Sequence, residues 1–279
     1  MNRKVIKFFR SNATLIYLIL TIVFAAPLFI RSRSIEDRYS SSELFNKDLC
    51  NINSIDAALL YIDKQVGINK INYFDTLKYV QATSTFTKDR FFHGLARYTV
   101  SENWIANFGA KCLWDHMSAI VDPDDIMKYC GGLCSQQTIV FMEILKRRGI
   151  KTRSVGLGYK EGPGHFLCEV FYENAWHLHD VTLEPQWTKV TGHHKSMEYY
   201  QKNIDSLFVA YESRLSRGNF DKIMEKVEYG KVNEFPAKNM RIFHNVTKAF
   251  TYALPILSGL VCIRSYRRKN KASVKAYNL

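Results

Sequence analysis

Three side chains in the middle of this 279-residue sequence have types and local settings that suit nucleophilic acyl transfer: Cys134, His165 and Asp180. A cysteine in the first turn of a helix meets unpaired backbone N–H groups and the positive end of the helix dipole, and both favour thiolate over thiol. A histidine within reach can take the thiol proton. A carboxylate behind that histidine fixes its tautomer and steadies the imidazolium that forms. In such a unit the thiolate attacks a carbonyl carbon and the imidazolium protonates the departing group.

The surrounding sequence predicts elements that would bring the three together. Asp122-Pro123-Asp124 is a helix start, and Gly131-Gly132 stops that helix. A second helix is expected from about Cys134 to Arg148, with Phe141 and Leu145 on the face of Cys134. It carries basic residues in its last turn and Gly149 as terminator. The period then changes to two. Residues 152–159, 165–172 and 175–182 read as strands rich in Val, Phe, Tyr and Trp, separated by turns at Gly162–Gly164 and Glu173-Asn174. A two-residue turn at Glu173-Asn174 pairs Tyr172 with Ala175, which sets His165 opposite Thr182 and Leu167 opposite Asp180. Asp180 then lies on the face of His165 and diagonal to it, near enough for a hydrogen bond. His177 and His179 point to the other face and, with His193 and His194, read as structural or solvated residues. Further helices are expected at about 42–65, 74–82, 90–108, 196–215 and 220–229.

These residues resemble the core of the transglutaminase-like superfamily of papain-like thiol enzymes. That core runs Gly-x-Cys, a helix, a Gly-Ile-x-x-Arg strand, a His-x-x-x-Glu-Val strand, a Trp and an Asp. The chain supplies Gly132 and Cys134, Gly149-Ile150 with Arg153, His165 with Glu169-Val170, then Trp176 and Asp180. The resemblance covers Val121 to Pro185, about a quarter of the sequence. It implies an α+β fold in which the cysteine-bearing helix packs on an antiparallel sheet. It also implies Cys134 as nucleophile, His165 as base and Asp180 as third member. The Cys134 amide would give one oxyanion-hole donor. Trp114 and Trp104 are the candidates for the upstream residue that completes the hole.

The same residues have plainer readings. A free cysteine is often a small buried hydrophobe, but the registered His165 and Asp180 favour chemistry. Cys130-x3-Cys134 with nearby histidines is an unusual zinc spacing. No metal site is assigned, and no cofactor is implied because nucleotide, haem and calcium motifs are missing from the sequence. The function expected is therefore a cysteine-dependent acyl-transfer enzyme acting on an amide in a protein, peptide or cell-envelope polymer. An amidase or peptidase is favoured over a transamidase, since no amine-donor site is recognisable. The alternative is a non-catalytic accessory domain that binds a peptide or envelope polymer in a membrane assembly.

The formal net charge of +13 raises nucleic acid as a partner, and its distribution argues against it. Residues 1–10 carry four bases and no acid, 264–279 carry six bases and no acid, and 31–38 carry three bases against two acids. The remaining body has 26 basic and 24 acidic side chains. These charged ends flank apolar runs. Residues 11–30 are uncharged and match the roughly 30 Å hydrocarbon core of a bilayer. They read as an uncleaved signal anchor, because Ala25-Ala26 followed by Pro27 is a poor cleavage site. Residues 249–263 form a shorter second span, interrupted by Pro255 and Gly259. The flanking bases put both termini in the cytoplasm and the middle on the outer side.

The organisation expected is an anchor at 1–38, a helical N-terminal part of the catalytic region at 39–120 and the core at 121–187. A helical extension follows at 188–245, and a second span with basic tail at 246–279. Outside that span five cysteines remain, an odd number that leaves one thiol free, with no pairing deducible.

Overall fold

A computed structural model describes residues 3–30, 45–68, 75–158, 164–183, 185–190 and 194–277. Residues 42–44 and Phe74, which begin two expected helices, lie outside these, as do Gly162, Pro163 and His193. In chain order the principal elements are α1 (Arg3–Ala25), α2 (Ile55–Val66), α3 (Thr76–Arg90), β1 (Phe92–His93), α4 (Val100–Cys112), α5 (Pro123–Ile126), β2 (Gly131–Gly132) and α6 (Cys134–Arg147). They continue with β3 (Lys151–Gly158), β4 (His165–Tyr172), β5 (Ala175–His179), α7 (Met197–Lys202), α8 (Ile204–Tyr211), α9 (Arg217–Ile223), β6 (Lys226–Tyr229) and α10 (Lys238–Tyr277). The chain divides into two compact units, one made of Met1–Ser34, Arg97–Ala119 and Asn239–Leu279, the other of Ile35–Ala96 and Ile120–Lys238.

The first unit contains α1 and α10, both long and apolar enough to cross a membrane. Their contacts use small residues. Thr14 and Ser265 hydroxyls bond at 3.0 Å, the Cys262 thiol donates to the Thr14 carbonyl, and Gly259 leaves room where an added Cβ would meet the Thr21 methyl at 3.6 Å. Such residues let apolar helices approach closely. Pro255, expected to interrupt the second span, sits inside one continuous 40-residue helix. The Ser258 hydroxyl donates to the carbonyls of Leu254 and Pro255, which occupies backbone acceptors around the proline.

Arg97–Ala119, expected within the catalytic region, groups with these two helices instead. Its helix α4 opens on a capping pair in which Glu102 accepts from the Thr99 backbone at 2.7 Å. It kinks at Asn103, whose amide donates to Thr247 at 2.8 Å, while His244 bonds to the Met117 carbonyl at 2.9 Å. The expected helix over 90–108 is therefore broken. Arg90 ends α3, 92–93 form a short strand, and the helix restarts at Val100.

The second unit is an antiparallel sheet in the order β5-β4-β3-β6 with helices on its faces. One face carries a core of Val155, Leu157, Leu167, Leu178, Tyr200 and Phe220, closed by α7 to α9. The other packs against α6, whose Val140, Phe141, Ile144 and Leu145 are buried. Residues 226–229, expected to continue a helix, form an edge strand paired with β3 at Val155–Gly158.

The β4–β5 register pairs Tyr172 with Ala175 and Cys168 with His179, as the two-residue turn requires. Glu173 and Asn174 both have positive φ, at 48° and 58°, the conformation of a type I′ hairpin turn. Pairing ends at His179, so Asp180 stands just past the strand rather than inside it. The framework positions converge on one cluster. The Arg153 guanidinium lies between the rings of Trp176 and Tyr229, at 4.5 and 4.7 Å, and donates to Glu169 at 2.5 Å. The other Glu169 oxygen accepts the Met197 N–H, which ties β4 to α7.

Candidate active site

Cys134 begins α6, and the start of that helix is held from three sides by Gln136. Its carboxamide oxygen accepts the N–H groups of Leu133 and Ala96, and its NH2 donates to the carbonyls of Ala96 and Ile120 at 2.8 and 2.7 Å. Gln137 donates to the Gly132 carbonyl at 2.8 Å, and the Thr138 hydroxyl to the Phe166 carbonyl at 3.1 Å. The last bond fixes the helix to the strand that carries His165. The Cys134 amide, at the head of α6, has no intrahelical acceptor.

His165 opens β4, and its Nε2 lies 2.6 Å from Asp180 Oδ2. The His165 side chain is 10% exposed and the Asp180 carboxylate 0%, so their interaction is shielded from water. Asp180 is nevertheless fully partnered. Its Oδ1 accepts the backbone N–H groups of Thr182 and Leu183, both at 3.0 Å, and its Oδ2 also accepts the Tyr211 hydroxyl at 2.7 Å. This shell keeps a buried carboxylate charged. Burial pushes its pKa up, but the His165 charge and these hydrogen bonds prevail and hold it below the ordinary 3.8.

The same balance extends outward. Burial alone would lower the His165 pKa, yet the Asp180 charge and the bonds to Asp180 and Cys134 raise it from 6.5 to about 10. Burial would raise the Cys134 thiol, but its hydrogen bond with His165, the imidazolium charge and the Phe166 backbone bring it below 9.0. The pair is thus biased toward thiolate and imidazolium, with Cys134 itself partly exposed. Cys168, which pairs with His179 next to Asp180, is fully buried and its thiol pKa is pushed up.

The structure brings Cys134, His165 and Asp180 into one chain of interactions. Trp104 and Trp114 belong to the first unit. There the Trp104 ring stacks on Phe24 with centroids 6.2 Å apart, its buried Nε1 has no hydrogen-bond partner among the described residues, and Trp114 is exposed. His177 stacks on Tyr172 at 3.8 Å and His179 on His194 at 4.3 Å. Cys130 is disulfide-bonded to Cys50, which removes it as a zinc ligand in this state.

Two residues that the sequence did not single out support the site. Tyr211 contributes a hydrogen bond to Asp180 from α8, thirty-one residues away. Arg90 lies buried beneath the Cys50–Cys130 disulfide, and its guanidinium donates to the carbonyls of Ile52, Tyr129, Met127 and Cys50. It thereby fixes the loop that leads through Gly131-Gly132 to Cys134. Arg90, which the sequence reads as the first residue of a helix, gives no sign of this, because its acceptors come from distant loops. No protein-family model matches the sequence, and no curated protein matches it significantly.

Proposed function

We propose that this protein is a membrane-anchored cysteine acyl-transfer enzyme of transglutaminase-like type, acting on amide bonds as an amidase or peptidase. The observation that carries this reading is the 2.6 Å contact of His165 with a buried, fully partnered Asp180, set beside a partly exposed Cys134 thiol at the head of α6. The thiolate adds to the amide carbonyl, the C–N bond breaks, and the proton on His165 leaves with the amine. Water, deprotonated by the neutral imidazole, then hydrolyses the thioester and returns the thiol. The Cys134 amide N–H is the first oxyanion donor.

The two apolar helices would anchor the enzyme with both termini in the cytoplasm and the catalytic unit outside. The Cys50–Cys130 disulfide supports an oxidising compartment. A test uses the full chain in detergent micelles with exposed Cys112 replaced by serine. Mixed with p-nitrophenyl acetate, it should release one equivalent of p-nitrophenol in a burst and carry acetyl on Cys134. Cys134→Ser should abolish both. A native protein with no burst, or with acetyl elsewhere, would refute the reading.

A further inference from the structure

A cavity of about 570 Å³ lies in the second unit beside the turn at Asp180, yet neither Cys134 nor His165 lines it. Its size falls within the range of small-ligand pockets, roughly 300–1,000 Å³. The floor is His179, Pro185 and half-buried Trp187, and α3 and the segment after α8 form the walls.

The walls are polar and uncommitted. Gln81, Ser84 and Thr85 from α3, with Gln186 and Ser213 opposite, make no side-chain hydrogen bonds to other described residues. Among the described residues Arg214 is the one Lys or Arg on the wall, and it has no ion-pair partner there. The nearby Lys189 is already paired with Glu212 at 2.9 Å. Among the described residues no acid opposes Arg214 on the wall, since the Asp180 side chain is fully sequestered by its own partners. A guanidinium facing water in such a setting suits a carboxylate, which it can bind through two parallel N–H bonds. Two carboxamides, each donor and acceptor, match the N–H and C=O of a peptide backbone. A sugar ring fits less well, because the Trp187 ring is engaged by His194 at 4.8 Å, Tyr200 at 5.5 Å and Tyr211 at 6.3 Å.

We propose that this cavity is a second binding site, separate from the thiol, which takes the carboxylate-terminated end of a peptide, with Arg214 holding the carboxylate and Gln81 and Gln186 the adjoining peptide units. The inference does not depend on the acyl-transfer reading. Its walls include Ser213 and Arg214, which follow directly on the Tyr211 segment that contacts Asp180, so an occupied site would steady that segment.

The test is equilibrium dialysis of the full chain in micelles, with Cys134 first capped by iodoacetamide so that its own site is blocked. The probes are acetyl-tetraalanine with a free carboxylate, the same peptide as its C-terminal amide, and glucuronate. The free acid should bind saturably at one site per chain, and the amide at least tenfold more weakly. Arg214→Gln, a change at an exposed position, should make acid and amide equal, and Ser84→Phe, which fills the cavity, should abolish binding. Equal binding of acid and amide to the unmutated chain, no saturable binding, or preferential binding of glucuronate would each overturn the proposal.

Discussion

Among the charges buried in the second unit, Arg90 and Asp180 are held in opposite ways. Arg90 has no carboxylate partner among the described residues. Its guanidinium is wrapped by main-chain carbonyls from two segments, 50–52 and 127–129, and burial lowers its pKa to about 10. Asp180 has a counter-charge in His165, and His165 reaches a thiol that solvent can touch. One charge is an end point that staples loops together. The other is the inner end of a relay whose outer end can react. A buried charge is structural when its partners close around it, and functional when one of those partners is itself titratable and faces outward.

That contrast can be broken by substitution, and the largest losses should fall on the Arg90 side. Removing the Cys50–Cys130 bond, which closes a span of 80 residues, should cost about 4 kcal/mol by loop entropy, read as a fall in denaturant midpoint after reduction or in Cys50→Ala/Cys130→Ala. Arg90→Met should cost about 3 kcal/mol, because it strands several buried carbonyls. At temperatures where the variant remains folded, Cys134 reactivity should change little. A large change in the thiol pKa would mean that Arg90 belongs to the relay.

Asp180→Asn should give the reverse pattern, with a modest stability loss and at least a tenfold fall in Cys134 alkylation near neutral pH. Its pH dependence has a definite sign. His165 is raised in the folded chain, so the stability it adds is fully present below about pH 6.5 and is lost as pH rises through about 10. Unfolding midpoints of the unmutated chain and Asp180→Asn should therefore converge at the alkaline end. Asp180 itself is lowered, so its contribution is present above about pH 4 and fades as acid protonates it. Tyr211→Phe should have the smallest effect, about 1 kcal/mol, with a small rise in the Asp180 pKa visible in the acid limb of the same titration.

The parts of this site that were legible in the sequence rest on local rules. Cys134 could be placed at a helix start from Gly132 before it and Gly149 at the far end, where the chain takes φ of 75°. The β4–β5 register followed from a two-residue turn with both residues at positive φ. What was missed is non-local. Arg90 takes its acceptors from 37 to 40 residues away, and Tyr211 meets Asp180 across 31. Strand β6 was read as helix because four residues, Lys226–Tyr229, are too few to show a period of two, and pairing with β3 decides their conformation. The grouping of Arg97–Ala119 with the apolar helices depends on contacts such as Asn103 to Thr247, which span 144 residues. The kink at Asn103 is invisible in a composition that otherwise favours a continuous helix.

The most direct measurement is the rate of Cys134 alkylation by iodoacetamide from pH 4 to 10 in the full chain carrying Cys112→Ser, alone and with His165→Ala. A thiol that titrates below 9.0 in the first protein, and higher once His165 is gone and burial with the Asp180 charge opposes ionisation, is the result predicted. A thiol that reacts with the same pH midpoint in both would contradict the relay, and with it the assignment of Cys134 as a nucleophile.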